Sequence, residues 1–428
     1  MIAVLIMLYC VMKKKVTLAL AAVAAFTVPL SACSPSNTAA ESHDHASHAE
    51  SDAHAEHGDH NPGVDKTAEE AYEKLARLAV STETGVTVLD YDMTPIDSFD
   101  LGGRPTLTTA GDDRHVMAVQ GKANKIDVID GGSWTKPHGD HVHYYRSAPS
   151  VADSPIEGTK PTHVVGNDAT GVTALYFDGD ARALILTPDQ LAEDDFSGVE
   201  LKSSAPHHGV AVPLMNGQVL LSKKGEEMSD SMELLDESNN VLNEFKCPRM
   251  HGEVVFENTA IFGCADSILR VDGDKETIIK SPDDSGERVG AIVANQDGSA
   301  FLGDWAEDSL LLVKGSEASV IDFPSAFTNR VSLPGGGFAV FGTDGKLRAL
   351  DNDGKTTKEF NIMDGWTKPE GHGGVMPMMA AGESQATKFV FISEPQNNKV
   401  HRINLSADEI ESFEVDGTPS SLAVVNGR

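Results

Sequence analysis

The sequence of 428 residues predicts an all-β fold, a single β-propeller, and three features carry that prediction. Helical periodicity nearly vanishes after about residue 75. Short runs of Val, Ile, Leu and Phe then alternate with Gly, Asp and Asn turns, a pattern typical of consecutive strands. The runs also recur in units of about 40 to 45 residues, which is room for four antiparallel strands in each unit. Eight blades are expected, with seven as the fallback if one unit is irregular.

Each unit opens with a similar short strand. The openings are RPTLTTA at 104, KPTHVVG at 160, APHHGVAV at 205, RMHGEVVF at 249, ERVGAIVA at 287, NRVSLPGG at 329, GHGGVMPM at 371 and TPSSLAVV at 418. The last opening reaches the final residues with no partner strands behind it. Its partners are expected among LAVSTE, GVTVLDYD and PIDSFDL, which precede the first opening. A composite blade built from both chain ends would close the ring and leave no long free edge.

The first 32 residues have the features of a signal peptide. Lys13, Lys14 and Lys15 precede an apolar run from Val16 to Leu30 that ends in small residues. Residues 30 to 33, LSAC, resemble the bacterial lipobox, which implies cleavage before Cys33 and a lipid on its thiol. Plain cleavage near Ala32 is the alternative. Both predict an exported protein of the periplasm, with Cys33 as the one route to a membrane anchor.

Residues 33 to 67 form a predicted disordered tail that captures metal. Within it, ESHDHASHAESDAHAEHGDH interleaves six histidines with acidic residues and has no large apolar side chain, so it cannot form a core. Imidazole and carboxylate groups suit zinc, copper and nickel at neutral pH. An acidic tail that only improves solubility is the alternative. The six histidines are His43, His45, His48, His54, His57 and His60.

The propeller domain is expected to span residues 68 to 428. Its first segment, Ala68 to Ala79, carries acids early and Lys74 and Arg77 late, as a short helix prefers, but it could equally run straight into a strand.

Histidines recur at one position of the strand openings. His163, His208, His251 and His372 share it, whereas the other units place Leu107, Val289, Val331 and Ser421 there. Innermost strands of a propeller start at one mouth of the central channel, so these imidazoles are expected to surround that mouth. Three imidazoles with a carboxylate or water would satisfy tetrahedral Zn²⁺, and Glu253 and Glu370 are the nearby carboxylates. Polar groups packed around channel water are the alternative.

A second cluster interrupts the first and longest unit, in WTKPHGDHVHYYRS. His141 and His143 are two residues apart, so on a strand they face the same side, with His138 or Asp140 reaching back from the loop. The alternatives are a metal clamp and surface imidazoles packed on tyrosines. His115 and His401 stand alone in strand patterns and are expected to be structural.

The remaining cysteines and the charge restrict the function classes. Cys247 and Cys264 flank two strands of one unit and are expected to form a disulfide in an oxidising compartment, with zinc ligation as the alternative. A net charge of −31 disfavours nucleic acid and anionic lipid as partners and attracts cations.

Together, the export signal, the HDHxxH-type tail, the histidine-led strands and the loop SWTKPHGDHVHYY resemble the AztD family of periplasmic zinc metallochaperones. The resemblance implies a soluble carrier that binds Zn²⁺ and passes it to the zinc-binding protein of an ABC importer. The chain is expected to be a monomer and not an enzyme. The alternatives are a secreted metal-dependent propeller hydrolase or lactonase, and an interaction scaffold with a metal-buffering tail.

Overall fold

The computed structural model describes residues 68 to 283, 285, 287 to 369 and 374 to 428. The predicted signal peptide, Cys33, the six tail histidines, Glu370 and His372 lie outside the described residues. The described chain is all-β, as predicted. Its helical segments are one short α-helix, α1 (Pro188–Ala192), and two 3-10 turns (Gly121–Ala123 and Pro395–Asn397). No helix among the described residues is long and apolar enough to cross a membrane.

Thirty-five strands follow one another along the described chain. The first half comprises β1 (Glu69–Ala71), β2 (Arg77–Ser81), β3 (Gly85–Leu89), β4 (Pro95–Asp100), β5 (Thr106–Thr109), β6 (His115–Gln120), β7 (Lys125–Asp130), β8 (Ser133–His138), β9 (His141–Arg146), β10 (Ser150–Val151), β11 (Ile156–Glu157), β12 (Pro161–Gly166), β13 (Thr173–Phe177), β14 (Arg182–Leu186), β15 (Val199–Lys202), β16 (Ala211–Pro213), β17 (Val219–Lys224) and β18 (Ser229–Leu235). The second half comprises β19 (Val241–Phe256), β20 (Thr259–Gly263), β21 (Ser267–Asp272), β22 (Lys275–Lys280), β23 (Ile292–Ala294), β24 (Phe301–Ala306), β25 (Ser309–Lys314), β26 (Glu317–Asp322), β27 (Phe327–Ser332), β28 (Phe338–Gly342), β29 (Lys346–Leu350), β30 (Thr356–Asn361), β31 (Met379–Ser384), β32 (Thr387–Glu394), β33 (Lys399–Asn404), β34 (Glu409–Glu414) and β35 (Ser421–Val425).

The strands form antiparallel sheets that follow the sequence repeat. Strands β12 to β15, β23 to β26, β27 to β30 and β31 to β34 each make a four-stranded sheet in chain order. Strands β5, β6 and β7 form another sheet, whose outer edge is completed by β10 and β11. Strands β16 to β22 form a seven-stranded sheet in which β19, 16 residues long, ends one unit and begins the next. The expectation of eight blades rests on dividing this sheet at β19 and stays a prediction.

Both ends of the domain meet in one sheet, as the repeat predicted. Its strand order is β35, β2, β3, β4. The pairing of β2 with β35 runs from Arg77 opposite Val425 to Ser81 opposite Ser421. The composite sheet therefore satisfies the edge that each chain end would otherwise leave open.

The hydrophobic core lies between adjacent sheets. The second strands of units are buried along their whole length, for example β6, β13 and β28, whereas outer strands such as β4 and β34 are largely exposed. One cluster joins Val86 of the composite sheet to Leu107 and Val116 of the next. Packing between sheets thus fixes the inner strands that carry the candidate ligands.

The expectation of a short helix over Ala68 to Ala79 is wrong, and the alternative of a strand holds. The segment contains β1 and the start of β2. Leu78, Ala79 and Val80 are fully buried in β2, which lies between β35 and β3 and bonds to both. Pairing on two sides outweighs the helix propensity of this Ala- and Glu-rich stretch, because tertiary pairing routinely overrides local propensity.

A small separate sheet projects between β7 and β10. It consists of the β8–β9 hairpin with β1 on its outer edge, in the order β1, β9, β8. The base of the hairpin is fixed to β2, because Arg77 donates hydrogen bonds to the carbonyl oxygens of Gly131 at 2.7 Å and Ser147 at 2.9 Å. Trp134 stacks on Tyr145, and the Arg114 guanidinium lies over Trp134.

Cys247 and Cys264 form a disulfide, as predicted, with a Cα to Cα distance of 5.0 Å. The bond joins β19 to the residue after β20. It fixes the strand that carries His251 to its neighbour.

Candidate metal centres

The first candidate centre is the tip of the β8–β9 hairpin. His138 pairs with His141 across a tight turn, in which Gly139 adopts a positive φ of 62° that glycine permits without strain. His141 and His143 then face the same side of β9, two residues apart, as the alternation of a strand requires. The turn and the strand period together bring all three imidazoles to one point.

The donor atoms of this centre are spaced as a metal needs them. The Nε2 atoms of His141 and His143 lie 3.0 Å apart, and His138 Nδ1 lies 3.3 Å from His143 Nε2. Ligand atoms of a tetrahedral zinc site with Zn–N bonds near 2.0 Å are about 3.3 Å from one another. Among the described residues, these three form the one group of three or more His, Cys, Asp or Glu residues whose ligand atoms gather closely enough to hold a metal ion.

The outward nitrogens of the hairpin histidines have acidic partners. His143 Nδ1 donates to Glu70 Oε1 at 2.6 Å, and His141 Nδ1 donates to Asp140 Oδ1 at 3.2 Å. A carboxylate on the far nitrogen fixes the tautomer and directs the other nitrogen toward a metal. The His141 side chain is 56% exposed, so another protein can reach the donor atoms directly.

The second candidate centre lies where β12, β16 and β19 begin their inner segments. His163 and His208 approach each other through their Nε2 atoms at 3.1 Å, again close to a zinc ligand spacing. The His251 ring centroid lies 6.0 Å from that of His208. Of the three predicted channel histidines that the structure describes, it therefore brings two together and places the third alongside.

All three channel histidines use Nδ1 in the same way. His163 donates to Glu253 at 2.7 Å, His208 donates to Asp178 at 3.0 Å, and His251 donates to the carbonyl oxygen of Gly290 at 2.8 Å. Because each Nδ1 carries the proton that it donates, each Nε2 keeps a lone pair that can bind a metal ion. Such outer partners usually accompany imidazoles that ligate a metal.

Burial and charge act in opposite directions on these groups. Burial lowers the pKa of His163, but the Glu253 carboxylate outweighs that effect and leaves the pKa raised. Burial also lowers the pKa of His251, and there it prevails, which keeps that imidazole neutral and able to bind a cation. For Asp178, burial raises the pKa, but hydrogen bonds led by the one from His208 bring it down to about 2. An ionised carboxylate therefore stands behind His208.

A central cavity of about 660 Å³ lies along the inner strands. Segments of β5, β12, β19, β23, β27, β31 and β35 line it, and Glu253 belongs to its wall. The three channel histidines do not line this cavity, so Glu253, which accepts a hydrogen bond from His163, is what connects the channel centre to it. The hairpin centre lies on the separate small sheet.

Several other positions follow the sequence predictions. Leu107 and Val289, which take the shared position in units without histidine, are buried in the core. His115 donates to Asp112, and His401 bonds to Ser412 and Glu394, so both are buried and structural.

Sequence reasoning missed Glu70, Asp178 and the Gly290 carbonyl. Glu70 lies 73 positions before His143, and Asp178 lies 30 before His208. No local pattern marks them, because their roles depend on which strands become neighbours.

The fold is that of a β-propeller, and the tip of its small hairpin gathers three imidazoles that could hold a metal ion. The chain is similar to the zinc chaperone AztD of Citrobacter koseri, at 24% identity over 362 residues, covering 80% of this chain and 84% of that relative. The resemblance to AztD expected from the sequence is thereby confirmed. No protein-family model matches the chain.

Solved structures support the fold. The crystal structure of Citrobacter koseri AztD covers 82% of this chain and 98% of its own, with a TM-score of 0.73 and 22% identity. The structure of apo AztD from the same organism has a TM-score of 0.71 and 21% identity, with the same coverage of both chains. The structure of dihydro-heme d1 dehydrogenase NirN in complex with DHE has a TM-score of 0.58 and 10% identity, and the match covers 82% of this chain and 75% of that chain.

Proposed function

We propose that this chain is a zinc chaperone of the bacterial periplasm. The observation that carries the proposal is the hairpin triad of His138, His141 and His143. All its ligand nitrogens lie within 4.8 Å of one another, and two of the pairs lie at 3.0 and 3.3 Å, close to the spacing of zinc ligands. The similarity to the zinc chaperone AztD supports the same metal. The donor set alone would bind copper more tightly, so zinc is proposed from the donors and the relative together.

Three features support carriage rather than storage or catalysis. The hairpin donors are partly exposed, which allows an incoming ligand to replace them one at a time. A fourth position at the triad is open to water or to a side chain of another protein. The net charge of −31 raises the local concentration of cations around the chain.

The tail and the channel complete the proposed route. Residues 41 to 60 collect Zn²⁺ at many weak sites, and the hairpin and channel histidines hold it more tightly. His60 precedes Glu70 by ten positions, a length of chain that spans at most about 36 Å when extended. The recipient is proposed to be the zinc-binding protein of an ABC importer, with the chaperone exported by its signal peptide and, if Cys33 is lipidated, anchored to a membrane.

Competition with a chromogenic chelator tests the hairpin centre. His141→Ala and His143→Ala are each expected to weaken zinc binding there by at least about 100-fold, since even outer partners of a ligand are worth roughly 10- to 100-fold. Val142→Ala is the matched control, because Val142 lies between them on β9 and is exposed. Equal zinc affinity in all variants would overturn the proposal for this centre.

A transfer assay tests the chaperone role itself. The zinc-loaded chain is mixed with a candidate binding protein, and metal is followed in both proteins in the presence of a chelator that traps free Zn²⁺. Direct transfer is expected to proceed despite the chelator. Loss of all transfer to the chelator would show release into solution and contradict the role.

A further inference from the structure

A carboxylate from outside the hairpin holds one of the hairpin histidines. Glu70 lies on β1 and accepts the Nδ1 proton of His143 at 2.6 Å. Asp140, the other acidic partner in this centre, belongs to the hairpin turn. The orientation of His143 therefore depends on whether β1 is docked.

The docking of β1 to the hairpin is slight. The strand has three residues, paired as Glu69 with Arg146, Glu70 with Tyr145 and Ala71 with Tyr144. The Glu69–Arg146 ion pair is exposed on both sides, and such pairs add little stability. Tyr72, which follows the strand, is fully exposed and packs on nothing. An edge strand held in this way is expected to open and close readily.

We infer that Glu70 is a positioning residue that couples the docking of β1 to the zinc affinity of the hairpin, an inference that rests on the proposed function. With β1 docked, Glu70 fixes the tautomer of His143 and directs its Nε2 at the metal. With β1 displaced, His143 turns more freely and the site loosens. β1 begins nine residues after His60, so the strand proposed to set the zinc affinity of the hairpin closely follows the histidine-rich segment in the chain.

The coupling acts equally in both directions. If docking β1 strengthens zinc binding by a given factor, then bound zinc strengthens the docking of β1 by the same factor. A protein that displaces β1 from the edge of β9 would lower the zinc affinity of the hairpin during that encounter. The fold thereby contains a means of holding zinc tightly when alone and releasing it on contact.

The test compares Glu70→Gln with Glu69→Gln in the full chain. Both variants are made in a background without the other proposed zinc sites, in which His163 and His208 are changed to Ala and the six tail histidines to Gln. Glu70→Gln is expected to weaken zinc binding about 10-fold, the lower end for an outer partner. Glu69→Gln lies on the same strand, loses only the pair with Arg146, and is expected to change the affinity less than twofold.

Two further measurements separate positioning from a general loss of stability. Cobalt(II) in the hairpin is expected to show a weaker visible absorption in Glu70→Gln than in Glu69→Gln, because His143 no longer holds its place in the coordination sphere. Zinc is expected to slow amide hydrogen exchange in residues 69 to 71 of the parent chain by about the same factor as the affinity change, and much less in Glu70→Gln.

The outcomes distinguish the two proposals. If the parent chain binds zinc at the hairpin but Glu70→Gln matches it in affinity, cobalt spectrum and exchange, the coupling is overturned and the centre stands. If the parent chain binds no zinc at the hairpin, the proposed centre itself fails.

Discussion

His163 lies on β12 and His208 precedes β16, and their Nε2 atoms lie 3.1 Å apart. Each ring is held from behind by a carboxylate, Glu253 for His163 and Asp178 for His208. Both carboxylates are largely buried, with exposures of 14% and 3%. The two carboxylates therefore help to fix the distance between the two donor atoms.

The channel pair is expected to bind one zinc ion independently of the hairpin. The double substitution His163→Ala and His208→Ala should lower the number of tightly bound zinc ions by one, as counted by calorimetry and elemental analysis. His207→Gln is the control, since His207 bonds to Tyr176 and Ser222 and belongs to the structural network. An unchanged stoichiometry in the double variant would contradict a channel site.

Deletion of residues 41 to 60 is expected to remove the weak class of zinc sites and leave the tight class. A full-length variant with Gln at the six tail histidines should behave like the deletion, because it also lacks the imidazoles. It keeps the length and the acidic charge of the segment, so it separates their effects from that of the histidines. Calorimetry resolves the two classes, and thermal unfolding without metal should be the same in all three proteins. Identical zinc isotherms for the parent and both variants would exclude a role for the tail in capture.

Loss of the Cys247–Cys264 disulfide is expected to destabilise the domain by about 3 kcal/mol, the value for a closed loop of roughly 15 residues. The two cysteines are separated by 17 positions and are fully buried. Chemical unfolding of Cys247→Ala/Cys264→Ala against the oxidised parent measures the difference. Treating the parent with a reductant should reproduce it, and coincident unfolding curves would contradict a stabilising bond.

Asp113 is expected to make the domain less stable as the pH rises from about 4 to 6. Burial raises the pKa of Asp113 to about 6, against the attraction of Arg428. The folded chain then binds a proton more readily than the unfolded chain in this window, so stability falls as the proton is lost. Two pKa units correspond to about 3 kcal/mol, and the 19% exposure of the side chain makes the effect smaller.

Asp113→Asn should remove this dependence and raise the free energy of unfolding above pH 6. Asn tolerates the positive φ of 57° at this position, so the backbone should not be strained. Urea unfolding between pH 4 and 7 measures the effect. A steeper loss of stability in the variant than in the parent would overturn the assignment to Asp113.

The repeat made much of the fold predictable. Seven of the eight openings overlap or contain the first strand of a unit, and only GHGGVMPM ends just before its strand, β31. At two places the pairing of strands gave a structure that differs from the one the local sequence pattern predicted. Residues 68 to 79 became strands because β2 has a partner on both sides, and His208 precedes β16 instead of starting it.

The convergence of the hairpin histidines was predictable from the sequence, but the carboxylates that contact them were not. The spacing of His138, His141 and His143 indicated a common face before any fold was known, and a two-residue turn at Gly139 and Asp140 completed it. Glu70 had no such signal, because its contact with His143 exists only through the pairing of β1 with β9. Supports of this kind come from chain segments that only the folded topology brings together.

The composite sheet also imposes an order of events on the newly made chain. β2 is among the first strands to be synthesised and β35 is among the last, yet the two pair directly. The ring cannot close until residue 425 is available, whereas the β8–β9 hairpin needs only local contacts and can form early. The hairpin that carries the first proposed centre can therefore be in place before the ring and the second proposed centre are complete.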